Sequence, residues 1–237
     1  MDKPITLDRA RPLSGVTVAA FTTHEDQLWV VIVRSPKAAR PAVPAPWMLP
    51  EAPVDVERDA DLLSCARRVL KETAGLTGAY VEQLGSWGSS KRDPRGWAAT
   101  HAYIALVPAK QGALPPLGAV GESEWSAIVG DGVERELAFD HAEILAAAVS
   151  RLRSKSEYTS LPSFLIPTEF TLSELQRAYE VVLGRKLEKS AFRTRILAGD
   201  LVSPLDRFRE GANRPAKLYR LRHRQSLYFP RPLQPKD

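Results

Sequence analysis

One cysteine, Cys65, stands in a chain of 237 residues, so no disulfide within the chain can hold the fold. A chain of this length does not need one, because it can bury a sizeable core. Such sparing use of cysteine points to a reducing cytoplasm, with Cys65 as a buried structural thiol rather than a catalytic one. No apolar run approaches the roughly 20 residues that cross a bilayer. The first residues, MDKPITLDRARPL, lack the apolar region of a secretory signal. Neither a membrane-embedded nor an exported protein is expected. What is present, 44% apolar and 26% charged residues, is ordinary globular composition, enough for one large domain or two modest ones.

Acidic residues also run short, but only in one region. Residues 168–237 hold 15 Lys+Arg against 8 Asp+Glu, a balance of +7, while residues 1–167 hold 18 against 20, a balance of −2. A basic C-terminal third on a near-neutral body is the electrostatic footprint of nucleic-acid binding.

The patterning divides the chain at the same place. Val16–Phe21 and Leu28–Arg34 read as a hairpin around His24–Gln27. The six prolines between Pro36 and Pro53 exclude helix and central strand. An amphipathic helix follows, with Leu62, Leu63, Ala66, Val69, Leu70 and Thr73 on one face and Gly75 as its C-cap. Two strands, Tyr80–Trp87 and Ala98–Val107, are expected to flank a polar loop over 88–97, and Glu124-Trp125 to start another strand. A helix should open at Phe139-Asp140-His141, with Asp140 as its cap, and run to about Arg153. Strands with helices on their faces imply an α+β or α/β sandwich. Further on, Thr171 and Glu174 form a capping box for a helix that ends at Gly184. A second helix, about Glu188 to Ala198, packs Phe192, Ile196 and Leu197. Two short strands around a polar loop, 206–217, complete a winged helix-turn-helix. The expected organisation is a domain over 1–155, a linker over 156–167 and a DNA-binding domain over 168–237.

Acids are missing once more from the most informative stretch, Leu49 to Leu76. Arg68, Leu70, Glu72, Gly75 and Leu76 match the pattern G-x5-E-x7-R-E-U-x-E-E-x-G-U (U aliphatic), so the segment resembles a Nudix box. Val69 and Thr73 stand where that box has glutamates, Ala60 where its first glutamate is expected, and Glu51-Ala52 where a double glycine follows Leu-Pro. A Nudix hydrolase clusters carboxylates on this helix to hold Mg²⁺, which activates water and neutralises diphosphate charge. Glu72 remains, and Glu57 is the other weak metal candidate, but two separated glutamates make a poor Mg²⁺ site. Neither catalytic residues nor a required cofactor are expected.

Three further stretches carry the resemblance to one family. Arg92-Asp93-Pro94-Arg95-Gly96 is similar to the RDPRG loop of ADP-ribose-type Nudix proteins, and Leu137–Leu145 (LAFDHAEIL) to a segment found in one subgroup. Phe170–Leu183, Phe192–Leu197 and Glu210–Tyr219 closely resemble the C-terminal domain of the NrtR family, Nudix-related regulators of NAD metabolism. The resemblance implies an α+β fold: an N-terminal Nudix-like α/β/α sandwich followed by a C-terminal winged helix-turn-helix. It implies a homodimeric repressor of NAD biosynthesis or salvage genes on palindromic operator DNA, relieved when the Nudix-like domain binds ADP-ribose or a related NAD metabolite. An active ADP-ribose pyrophosphatase with an accessory DNA-binding domain is the alternative. The Pro-rich arm is long enough to exchange between protomers.

Arg92 and Arg95 can capture a diphosphate through guanidinium forks, with Asp93 between them, and Arg34 is a further phosphate candidate. Trp87 or Phe139 can stack on adenine. For DNA, Lys189, Ser190, Arg193 and Thr194 occupy the first turns of the second helix, where base edges are read, and Arg195 lies off that face, towards phosphate. Arg193 is the candidate for bidentate guanine recognition. Arg207, Arg209, Arg214 and Lys217 belong to the wing, and the amides at Thr171 can meet a phosphate.

Overall fold

A computed structural model describes residues 12–35, 47–93, 96–109, 113–118, 122–210, 215–229 and 233. Arg95, Arg214 and most of the Pro-rich arm (36–46) lie outside the described residues. So the ligand role of Arg95, the wing role of Arg214 and the exchange of the arm find no structural account here.

The N-terminal body is a sandwich about a mixed sheet. Its strands are β1 (Leu13–His24), β2 (Gln27–Arg34), β3 (Trp47–Met48), β4 (Glu51–Pro53), β5 (Tyr80–Asp93), β6 (Gly96–Leu106) and β7 (Ser123–Ala127). The order is β3-β2-β1-β6-β5, with β4 paired to β1 and β7 to β2. Among the described strands only the β1–β6 pairing is parallel. Period-two alternation sends the two faces of β1 into two cores. Ala19 and Phe21 pack with Ile144, Leu145 and Leu152 of α2 (His141–Ser156). Val16, Val18 and Ala20 pack with Cys65, Ala66, Val69 and Leu70 of α1 (Leu62–Ala74). One helix therefore covers each face, the expected α/β/α arrangement. The β1–β2 turn is two residues, Glu25 and Asp26, both at positive φ (47° and 60°), the backbone that a tight hairpin demands.

Helix α1 starts at a capping box in which Asp61 accepts from Ser64 N–H and Ser64 Oγ accepts from Asp61 N–H. It stops at Gly75, whose φ of 69° is left-handed. A Cβ at Gly75 would also lie 2.4 Å from Gly118 Cα, so this glycine of the box is required by conformation and by close approach together.

The second body comprises β8 (Phe170–Thr171), α3 (Leu172–Leu183), α4 (Lys189–Ala198), β9 (Val202–Arg209) and β10 (Ala216–Leu221). Its sheet order is β8-β10-β9, and Phe170, Leu175, Tyr179, Phe192 and Ile196 fill its core. This is the expected winged helix-turn-helix, with the capping box of Thr171 and Glu174 in place.

Five expectations need correction. The polar segment 88–97 is mostly strand: β5 and β6 pair through Ser89↔Ala98 and again at Asp93↔Gly96, with a register shift between. A bulge absorbs the polar residues while the ladder continues. Likewise β9 and β10 run to Arg209 and from Ala216, shortening the loop expected over 206–217. Leu197 is 51% exposed, because it follows Ile196 by one residue, about 100° round the helix, and so leaves the stripe of Phe192 and Ile196. Asp140 makes no side-chain cap on α2, since its carboxylate turns to Arg92 instead.

The fifth concerns the secondary structure of the linker, 156–167, whose middle is a packed helix. Leu161–Leu165 form a 3-10 helix, with Leu161 and Leu165 fully buried in the same core as Val182 of α3. Thr159 bridges to Tyr228, and its carbonyl accepts from the Tyr179 hydroxyl at 2.9 Å. Among the described residues no helix is long and apolar enough to cross a membrane.

Candidate functional site

The Nudix-box helix shows what has become of its acids. Val69 is fully buried in the core between α1 and the sheet. Thr73 is half-buried and donates to Val69 O at 2.7 Å. Glu72 is engaged by Arg58 and by Arg68 Nη1, the latter at 3.1 Å, and these two guanidiniums, Arg58 foremost, hold its carboxyl below its ordinary value against the opposing pull of burial. Glu57 lies in an exposed turn, where its N–H donates to Asp55 Oδ1. Among the described residues no three His, Cys, Asp or Glu side chains gather as a metal would need. One carboxylate already neutralised by two arginines does not suit a hard divalent ion, which wants several free oxygens.

Arg68 also binds Asp59, through Nε at 2.8 Å and Nη2 at 2.7 Å. Asp59 is 1% exposed at its side chain and Arg68 13%. The hydrogen bonds from Arg68 keep Asp59 ionised far below the usual range in spite of burial. Asp59 thus supplies a carboxylate one residue before Ala60, where pattern matching looked for it. Cys65 lies beside this pair, its thiol pushed up to about 11 by burial and by Asp59, which makes it inert as a nucleophile.

The ligand candidates divide into two groups. Trp87, Arg92, Phe139 and the N-terminus of α2 come together. Arg92 is buried, with Nη2 3.1 Å from Glu51 Oε1 and Nε 2.9 Å from Asp140 Oδ2. Glu51 Oε2 is 2.9 Å from His141 Nε2, and His141 Nδ1 accepts from Leu49 N–H at 2.9 Å. That second bond fixes the tautomer: with Nδ1 accepting, Nε2 carries the hydrogen and donates to Glu51. Burial pulls the Glu51 carboxyl up, but the hydrogen bond from His141 and the charge of Arg92 together hold it below its ordinary value.

Trp87 Nε1 donates to Glu143 Oε1 in the first turn of α2 at 3.0 Å. Phe139 has φ of +57°, a strained conformation for a bulky residue and one that clusters at ligand sites. Asp93 is buried beside Arg92 in the chain. The N-terminal amides of α2, left without a side-chain cap, give this cluster a partial positive charge suited to phosphate.

Arg34 stands apart. It and Arg135 lie over the Trp47 ring at 5.6 and 5.4 Å, a double cation–π stack. They pair with Glu122 and Glu124 at 2.6 and 3.1 Å. Together these residues line an open cavity of about 480 Å³. Glu51, His141, Trp47, Arg135 and Asp59 were missed in the sequence. Glu51 and His141 are 90 positions apart, and only the unusual residue after Leu49-Pro50 hinted at the first.

On α4, Lys189, Ser190, Arg193 and Thr194 are exposed together, while Arg195 is half-buried and has an interaction partner. Phe192 and Ile196 anchor the opposite face. Glu188 caps the helix by accepting from Ser190 N–H at 2.9 Å and from Ala191 N–H. In the wing, Lys217 is exposed. Arg207 pairs with Glu169, and Arg209 with Glu174 of the capping box and with Glu169 O at 3.1 Å. Arg209 therefore ties the wing to the start of α3. Thr171 is buried, with its N–H given to Glu174 Oε2 at 2.7 Å, so that amide is already taken.

Residues 162–221 match the family model of the NrtR DNA-binding winged helix domain. The chain is 38% identical over 228 residues to the ADPR responsive transcriptional repressor NtrR of Acinetobacter baylyi, covering 96% of this chain and 89% of that protein. It is similar to the crystal structure of Shewanella oneidensis NrtR complexed with a 27mer DNA, with a TM-score of 0.79 and 32% identity over 93% of this chain and 99% of that one. The Nudix domain of the same Shewanella protein, solved with ADP ribose, matches at a TM-score of 0.50 and 31% identity over 61% of this chain and 90% of that one.

Proposed function

The chain belongs to the NrtR family, and from that premise we propose that it is a transcriptional repressor whose operator binding is relieved by ADP-ribose or a related NAD metabolite. The carrying observation is the exposed face of Lys189, Ser190, Arg193 and Thr194 on a helix anchored by Phe192 and Ile196. That is the geometry of a helix presented to the major groove. Arg193 reads a guanine, and Lys217 and Arg207 meet phosphates. The chain works as a homodimer on a two-fold symmetric operator before genes of NAD biosynthesis or salvage, since operator symmetry mirrors protein symmetry. Its place is beside the DNA, in the cytoplasm.

The effector seats its diphosphate at the N-terminus of α2, near Arg92, with adenine against Phe139 or Trp87. The Nudix-like domain binds this ligand and releases it intact. Support comes from Val69 in the core and Glu72 held by two arginines, which leave no carboxylate cluster among the described residues to hold a water-activating metal. The test is fluorescence anisotropy on a labelled duplex carrying an inverted repeat from the DNA upstream of the chain's own gene. Expected are salt-steep binding and release by ADP-ribose. Unchanged anisotropy at saturating ADP-ribose removes the effector assignment, and AMP release at a useful rate with Mg²⁺ restores the hydrolase reading.

A further inference from the structure

A cavity of about 1040 Å³ lies at the seam between the two bodies, of the size that accommodates small ligands. Its walls come from both sides: Arg67 of the Nudix-box helix and Tyr80 at the start of β5, Phe164 of the 3-10 helix, Arg220 of β10, and Arg222 and Arg224 just after that strand. Tyr80 and Phe164 stack on each other with centroids 4.1 Å apart, which makes one wall flat and rigid. Glu169 is the carboxylate among the lining residues, and Arg207 neutralises it. Arg222 is occupied by Asp200 at 3.2 Å and by Val202 O. Arg220 and Arg224 are exposed and have no carboxylate partner among the described residues. No residue of α4 lines the cavity, and neither do Arg92, Phe139 or His141. The seam is distinct from the DNA-reading face and from the α2 terminus.

We propose that this seam binds a small phosphorylated anion, with Arg220 and Arg224 as its principal contacts and Arg67 closing from the other domain. A ligand held from both sides adds interactions across the seam and restricts the orientation of the winged helix relative to the sandwich. Operator affinity then answers to a second small molecule besides the effector at α2.

The test is titration calorimetry of the full chain with inorganic pyrophosphate as the probe, ADP-ribose being saturating throughout. Binding is expected, with affinity lowered roughly tenfold or more in Arg220→Ala/Arg224→Ala, the scale of losing charge-assisted hydrogen bonds. The Arg220→Lys/Arg224→Lys pair should recover part of it. Unaltered melting of both variants shows that the fold is intact. Failure of the wild type to bind overturns the proposal, as does equal affinity in the alanine variant. Binding that appears only without ADP-ribose also overturns it, because the anion then sits at the α2 terminus. Lost operator affinity with unchanged pyrophosphate binding would instead make the seam part of the DNA surface.

Discussion

Arg34, Arg68, Arg92, Arg135 and Arg153 of the Nudix-like domain each face a carboxylate, whereas Lys189 and Arg193 of α4 face none among the described residues. The same residue type is thus put to two uses. Held arginines build the sandwich, locking the eroded box to its neighbours and Glu51 to α2. Free ones are ready for a polyanion without first breaking a bond. In the wing the two uses meet, since Arg207 and Arg209 are basic residues already engaged to Glu169 and Glu174. For Arg68 and Arg92, 13% and 6% exposed at their side chains, the difference originates in burial, whereas Arg34, Arg135 and Arg153 pair nearer the surface. A guanidinium out of water needs a partner, while an exposed one costs little to leave alone.

The largest effect should come from breaking the best-held pair. Asp59→Ala leaves Arg68 mostly buried, with Glu72 as its remaining carboxylate among the described residues. A loss of about 3 kcal/mol is expected, visible as a lower midpoint in urea at unchanged slope. A loss below about 1 kcal/mol would mean that water replaces Asp59 and that this pair is no anchor.

Arg193→Ala is the opposite case. Its exposed position predicts stability within about 0.5 kcal/mol of the parent, while operator affinity falls by about 1–3 kcal/mol and discrimination at one base pair is lost. Anisotropy on the operator and on single-base variants measures both. Equal weakening on every sequence would instead make Arg193 a phosphate contact.

The asymmetry between the regions also marks what the sequence made legible. Both helices of the winged motif were readable because local chemistry fixes them: Thr171 and Glu174 cap one, and Phe192 and Ile196 repeat at helical spacing in the other. The faces of β1 and the stop at Gly75 were readable for the same reason. The held arginines were not. Arg92 looked like a free diphosphate fork, because its partners Glu51 and Asp140 lie 41 and 48 positions away and only the sheet brings them near. Asp140 looked like a cap because capping is local, and a buried guanidinium outbid it. The packing of the linker was hidden likewise: nothing local in LPSFL says that Leu161 and Leu165 will share a core with Val182.

A smaller effect sharpens the comparison through pH. The Glu51 carboxyl is depressed in the folded chain from its ordinary 4.5. The stability it contributes is therefore present above that pH and is lost as pH falls through the lower folded value. Glu51→Gln should lower the melting temperature at pH 7 and have progressively less effect as the solution is acidified below about pH 4.5. A difference between the two proteins that stays constant with pH would show that the carboxylate of Glu51 does not hold Arg92 and His141 electrostatically.

The smallest effect tests whether a held cation can be recruited. Arg207 and Glu169 are 62% and 42% exposed at their side chains, and such surface pairs are worth about 0–1 kcal/mol. Arg207→Ala should leave the melting curve nearly unchanged. On DNA the phosphates compete with Glu169 for the same guanidinium, and a high density of phosphate charge outweighs one solvated carboxylate. The variant should then bind all duplexes more weakly, with the slope of log affinity against log salt reduced by about 1. Glu169→Gln should act in the other direction and tighten operator binding slightly, because it frees Arg207 in advance. If neither substitution moves the salt slope, Arg207 stays with Glu169 in the complex. It then belongs with the held arginines of the sandwich, and of the described wing residues expected to touch DNA, Lys217 is left to reach a phosphate.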